Sequence, residues 1–204
     1  MELHEALTQI AEIRQQVART AVFRGYRAVP VAFSGLLAFV TAGIQAWWLP
    51  DPAQNTPAYL ALWVSAAFLS LFASGWEMVR YPRRSSSALE SEKTLVAVSQ
   101  FLPCLAAGGL LMLVLARFAP ESLWLLPGLW ALLFGLGIFA SWRFLPQAVV
   151  WVGVFYLTAG AWCLIWFQGE AAFSPWAMGL PFGVGQLLSA AVLYWTLEHT
   201  DEQA

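Results

Sequence analysis

The side chains that carry out chemistry are scarce in this chain and stand apart from one another. The two histidines, His4 and His199, lie near opposite ends, and the two cysteines, Cys104 and Cys163, sit in different apolar stretches. A zinc or two-metal centre needs His, Cys or carboxylate groups in clusters. A haem held between helices needs an axial ligand at depth. An ion-coupled pump needs a buried carboxylate. An intramembrane protease needs paired aspartates, a Ser/His pair or a metal motif. None of these patterns occurs, nor does G-x-S-x-G, H-E-x-x-H or a phosphate-binding loop. Enzymatic activity, a metal and a cofactor are therefore not expected. Nothing points to a nucleic-acid partner.

What remains for chemistry is hydrogen bonding by amides and hydroxyls. Gln186 and Ser189 fall near the middle of the last apolar stretch. Thr41, Gln45, Ser65, Ser70, Ser74 and Thr158 are scattered through earlier ones. An amide surrounded by hydrocarbon wants a partner, so Gln186 either bonds across helices or lines a ligand cavity. A second group, Glu77, Gln100, Arg143 and Gln147, falls near the ends of apolar stretches. These four either form a polar vestibule, with Glu77 paired to Arg143, or reach into the interface from helix ends.

The elements that must position these groups are six apolar stretches, at about 29–49, 58–79, 95–117, 122–142, 147–168 and 174–197. Each has the roughly 20 residues that a helix needs to cross about 30 Å of hydrocarbon. The composition agrees: 60% of residues are hydrophobic and 11% charged, against about a quarter charged in soluble domains. Lys and Arg occupy positions 14, 19, 24, 27, 80, 83, 84, 93, 117 and 143. If the chain starts in the cytoplasm, all of them except Arg117 stay on that side, so the positive-inside rule predicts cytoplasmic termini. Cys104 and Cys163 then sit at different depths, unsuited to a disulfide.

Residues 1–28 read as a cytoplasmic amphipathic helix and linker, 29–197 as the six-span domain and 198–204 as a cytoplasmic tail. Leu3, Ala6, Ile10, Ile13, Val17 and Thr20 form the apolar stripe of the first segment. That stripe can lie on the lipid surface, pair with a second copy or another protein, or cover the cytoplasmic ends of its own spans. The basic, serine-rich run from Arg80 to Ser87 reads as a cytoplasmic anchor.

In the sixth stretch, Gly179, Gly183 and Gly185 allow close helix packing, and Pro181 should free a carbonyl nearby. Ser70 and Ser74 give the second stretch a similar stripe of small residues. The tryptophans form the aromatic belts of a multispanning protein. Phe101-Leu102-Pro103 matches Phe144-Leu145-Pro146. The pair Leu62-Trp63 with Phe72-Ala73-Ser74 matches Leu129-Trp130 with Phe139-Ala140-Ser141 at the same separation. These matches suggest three helical hairpins in tandem.

The block Phe173-Ser174-Pro175-Trp176-Ala177-Met178-Gly179-Leu180-Pro181-Phe182-Gly183-Val184-Gly185-Gln186-Leu187-Leu188, with Arg24-Gly25-Tyr26-Arg27-Ala28, resembles a group of bacterial multispanning inner-membrane proteins. The resemblance implies a bacterial inner membrane and brings no activity or site. The expectation is an all-α, six-helix membrane bundle with both termini cytoplasmic. It would be non-enzymatic, acting as a structural, accessory or sensing component through helix packing and partner contacts. Homo-oligomerisation or a protein partner would use the N-terminal helix. The alternative is a small carrier or channel for a neutral or amphiphilic solute, built around Gln186.

Overall fold

The computed structural model describes residues 28–80 and 88–198. The expected amphipathic helix, the basic loop and the C-terminal tail fall outside the described residues. In hydrocarbon every backbone N–H and C=O must bond within the chain, so long apolar runs become helices. Six of them form: α1 (Ala28–Trp48), α2 (Thr56–Arg80), α3 (Ala88–Phe118), α4 (Leu126–Ser141), α5 (Val149–Trp166) and α6 (Pro175–Leu193). Each is part of a span long and apolar enough to cross a membrane, and the described residues include no strand. The chain is an all-α integral membrane protein.

Prolines mark the helix boundaries. Pro127 and Pro175 stand in the first turns of α4 and α6, where a missing N–H costs nothing. Leu145 is extended before Pro146, which separates α4 from α5. Short 3₁₀ turns at Pro120–Leu125 and Gly169–Phe173 join α3 to α4 and α5 to α6. Gly169 has φ +59°, a conformation open to glycine and costly for other residues. The main difference from the sequence reading is in α3. It begins at Ala88, although its membrane-spanning part runs from Ser99 to Phe118. The polar residues before Ser99 continue the helix rather than forming a loop.

The most extensive contacts are between α1 and α6 and between α4 and α5. Next, α3 lies on α4, α2 on α1, and α5 on α6. The two helices of each expected hairpin do touch, but the tightest pairs, α1–α6 and α4–α5, join one hairpin to another. The α4–α5 contact is antiparallel, and its register is set by glycines seven residues apart on both helices. Gly128 faces the backbone of Gly160, and Gly135 faces that of Gly153. Between α1 and α6, Gly35 lies against the Gly183 carbonyl and Gly179 against Ala42. Without a hydrophobic force between helices in lipid, such close approach is what binds them.

Two helices stand apart. Only 11% of the spanning window of α2 and 6% of that of α3 is buried, against 44% for α1 and α6. Their outward faces carry Phe68, Phe72, Trp76, Leu110, Leu113 and Phe118, suited to lipid.

The end bearing the links between α1 and α2, α3 and α4, and α5 and α6 is termed outer, as the charge distribution predicts. At this end a single apolar cluster joins α1, α2, α3, α4 and α6 through Leu49, Tyr59, Trp63, Leu126, Phe173 and Met178, with Met112 and Leu115 against it. Towards the inner end the core divides. One cluster surrounds Ile138, Val152 and Tyr156, and a separate one holds Ala28, Val31, Ala190 and Leu193 between α1 and α6. Among the described residues, α2 contributes nothing to either inner cluster.

Candidate functional site

Residues three, four and seven apart share a helix face, so burial in the outer half identifies which side of each helix looks inward. On α2 the inward face begins with Tyr59 and Trp63, both buried, and continues through Ala66, Ser70, Ser74 and Glu77, all half-buried. On α6 it begins with Phe182 and continues through Gln186 and Ser189. On α3 it begins with Leu115 and Met112 and continues through Gly108 to Cys104 and Gln100, the last two half-buried. Each face is apolar where the outer cluster packs and becomes polar where the inner core divides. Three helices thus turn hydroxyls, amides, a thiol and a carboxylate toward the same half of the bundle.

Of the residues singled out from sequence, Gln186 places its Cβ beside Gly35. No described residue hydrogen-bonds its amide. Ser189 donates to the Gly185 carbonyl of its own helix at 2.9 Å. Glu77 and Gln100 are half-buried on α2 and α3, whereas Arg143 and Gln147 are exposed between α4 and α5. Among the described residues no ion pair joins Glu77 to Arg143. Ser70 and Ser74 lie half-buried on the inward face of α2. Gly179, Gly183 and Gly185 are buried and abut Ala42, Phe39 and Tyr156. Pro181 is buried within a continuous α6. It has no N–H to offer the carbonyl four residues back, that of Ala177, and the Cys163 thiol donates there at 3.5 Å. Both cysteines are free.

The outer end holds a polar node that the sequence did not single out. Gln45 is fully buried. Its Nε2 donates to the Phe173 carbonyl at 2.6 Å, and its Oε1 accepts from Trp63 Nε1 at 2.7 Å. One amide therefore ties α1 to α2 and to the turn before α6. The rest of the Gln45 face, Ser34 and Thr41, bonds within α1, to the carbonyls of Pro30 and Leu37. Beside the node, Tyr59 meets Phe173 edge to face at 5.2 Å.

Within the inner cluster around Tyr156 lies an aromatic layer. Phe134 meets Phe101, Tyr156 and Phe182 at centroid distances of 5.0, 4.7 and 5.7 Å. Such pairs add specific geometry to their apolar burial. The hydroxyls of Tyr59 and Tyr156 are buried without a hydrogen-bond partner. Tyr156 fits against Gly185 with its hydroxyl inside the bundle. Tyr156→Phe keeps the ring and removes the unsatisfied group, so it should stabilise the protein by about 1 kcal/mol. A higher thermal midpoint in mild detergent checks this.

Fold and site define an integral membrane protein of the all-α class. It is a six-helix bundle with a closed outer end and inward-facing polar groups toward the inner end. Compared with known protein families, with curated proteins and with solved structures, the chain matches none.

Proposed function

We propose that this protein is a small carrier for a neutral or amphiphilic solute, in the inner membrane of a bacterium, with its binding region open toward the inner side. The observation that carries the reading is the change of character along the inward faces. Tyr59 and Trp63 give way to Ser70, Ser74 and Glu77, and Phe182 gives way to Gln186 and Ser189. A face turned to lipid or to a tightly packed neighbour has no use for these groups, because each costs free energy in hydrocarbon. Ser189 is satisfied by the Gly185 carbonyl of its own helix, and water or a hydrogen-bonding solute would satisfy the Gln186 amide. Gln186 supplies both donor and acceptor, which suits carbonyl, hydroxyl or amide groups on the solute.

Cys104 tests this directly. It lies in the spanning part of α3, half-buried on the inward face. In lipid nanodiscs, where both membrane faces meet the reagent, a membrane-impermeant maleimide should label Cys104 readily, since the thiolate forms only in contact with water. No labelling in the folded protein would refute a water-filled inner region. Gln186→Leu should reduce uptake of a transported solute at least tenfold. Unchanged uptake would remove Gln186 from the binding region.

A second reading is a structural, accessory or sensing component that acts through helix packing and partner contacts. The low burial of α2 and α3 favours it, since a neighbouring protein or a second copy could cover them. Native mass spectrometry from nanodiscs separates the readings. A monomer without associated protein is expected for the carrier, and a stable complex for the component.

A further inference from the structure

A carrier that opens inward must also have a way to open outward, and the outer node has the features of such a gate. We propose that the Gly169–Phe173 turn, clamped to α1 and α2 by Gln45, is a releasable outer gate over Cys163 and the Tyr59 hydroxyl. This rests on the carrier reading above.

Three observations converge on it. First, the clamp is local. The hydrogen bonds that tie the turn to α1 and, through α1, to α2 pass through one side chain: Gln45 bonds both Phe173 and Trp63, and Tyr59 meets the Phe173 ring within the apolar cluster that Phe173 shares. Second, the turn starts at Gly169, whose positive φ marks a point where the chain turns sharply without a side chain to obstruct it. Nothing lies within 4 Å of where its Cβ would be, so the start of the turn borders open space. Third, the closed form contains a buried group it does not satisfy. The Tyr59 hydroxyl has no partner, although a phenylalanine would fill the same space without that defect. A buried hydroxyl lacking an acceptor raises the free energy of the closed form. Admitting water lowers that of the open one. In this arrangement Gln45 holds the gate shut and the Tyr59 hydroxyl favours its release, so replacing the two should act in opposite directions.

The native thiols report on this without added labels. Cys163 is buried at the outer end and Cys104 half-buried in the inner half. In nanodiscs, the rate of maleimide labelling at Cys163 measures outer opening, and the rate at Cys104 measures the inner side. Gln45→Leu should raise the Cys163 rate at least tenfold, since it removes both buried hydrogen bonds of the clamp, while Cys104 labels at the same rate or more slowly. Tyr59→Phe should lower the Cys163 rate several-fold. If Gln45→Leu merely loosens the fold, both cysteines accelerate together, and the gate is overturned. A Tyr59→Phe rate equal to or above that of the unaltered protein overturns it as well. Failure of the carrier reading is separately visible, as absence of Cys104 labelling in the unaltered protein.

Discussion

Gln45→Leu is expected to destabilise the folded bundle by about 3 kcal/mol, among the largest effects of any polar substitution in the chain. Leucine has a similar volume, so the loss is not one of packing. It leaves Trp63 Nε1–H without its acceptor and the Phe173 carbonyl without its donor around a fully buried position. Each buried group stripped of its partner costs roughly 1–3 kcal/mol. Trp63→Phe removes one donor and leaves the Gln45 amide bonded to Phe173, so its cost should be smaller, at about 1–2 kcal/mol. The double variant Gln45→Leu with Trp63→Phe should be no less stable than Gln45→Leu alone, because the donor that leucine orphans is already gone. Unfolding midpoints in mild detergent complete the cycle. Strict additivity of the two single effects would mean that Gln45 and Trp63 are not coupled and that the node is not a unit.

The bundle itself was legible because lipid imposes a harsh rule on the backbone. Long apolar runs interrupted by Pro, Gly and charge have one stable form, and the six spans lie within a few residues of where the sequence put them. The role of Gln45 was not legible. It was visible as a polar residue in the first span, but one of its partners is a backbone carbonyl 128 positions away, and a carbonyl leaves no mark in a sequence. The freed carbonyl next to Pro181 was foreseeable from proline chemistry, whereas the donor that answers it, Cys163, depended on how α5 meets α6. The inward polar faces were half legible. Gln186, Ser189, Ser70 and Glu77 stood out as residues, yet only the buried Tyr59 and Trp63 and the partly buried Phe182 gave their helices a rotational phase. The proposed carrier reading rests on that phase, whereas the sequence alone favoured an interaction protein.

The α4–α5 seam was readable in principle, through a seven-residue repeat of glycines at 128 and 135 and again at 153 and 160. The sequence does not show that these two pairs face each other across an antiparallel contact. The energetic weight of that contact makes Gly160→Ala the second large expectation. An alanine Cβ there would stand 2.8 Å from the Gly128 carbonyl oxygen and 2.9 Å from the Leu132 backbone nitrogen. Neither obstacle is a side chain that can rotate away, so the two helices must separate. In hydrocarbon, dispersion across that contact is the main attraction between them. A separation of even part of an ångström forfeits a sizeable share of it. The expected loss is about 3 kcal/mol, at the upper end of ordinary overpacking. Gly43→Ala is the matched comparison. Nothing lies within 4 Å of its added carbon, and alanine favours the helix over glycine by about 1 kcal/mol, so its midpoint should hold or rise. Were Gly160→Ala to unfold at the same temperature as Gly43→Ala, close backbone contact would not be what joins α4 to α5. The aromatic layer of Phe101, Phe134, Tyr156 and Phe182 would then have to supply that cohesion, and Phe134→Ala would become the damaging substitution.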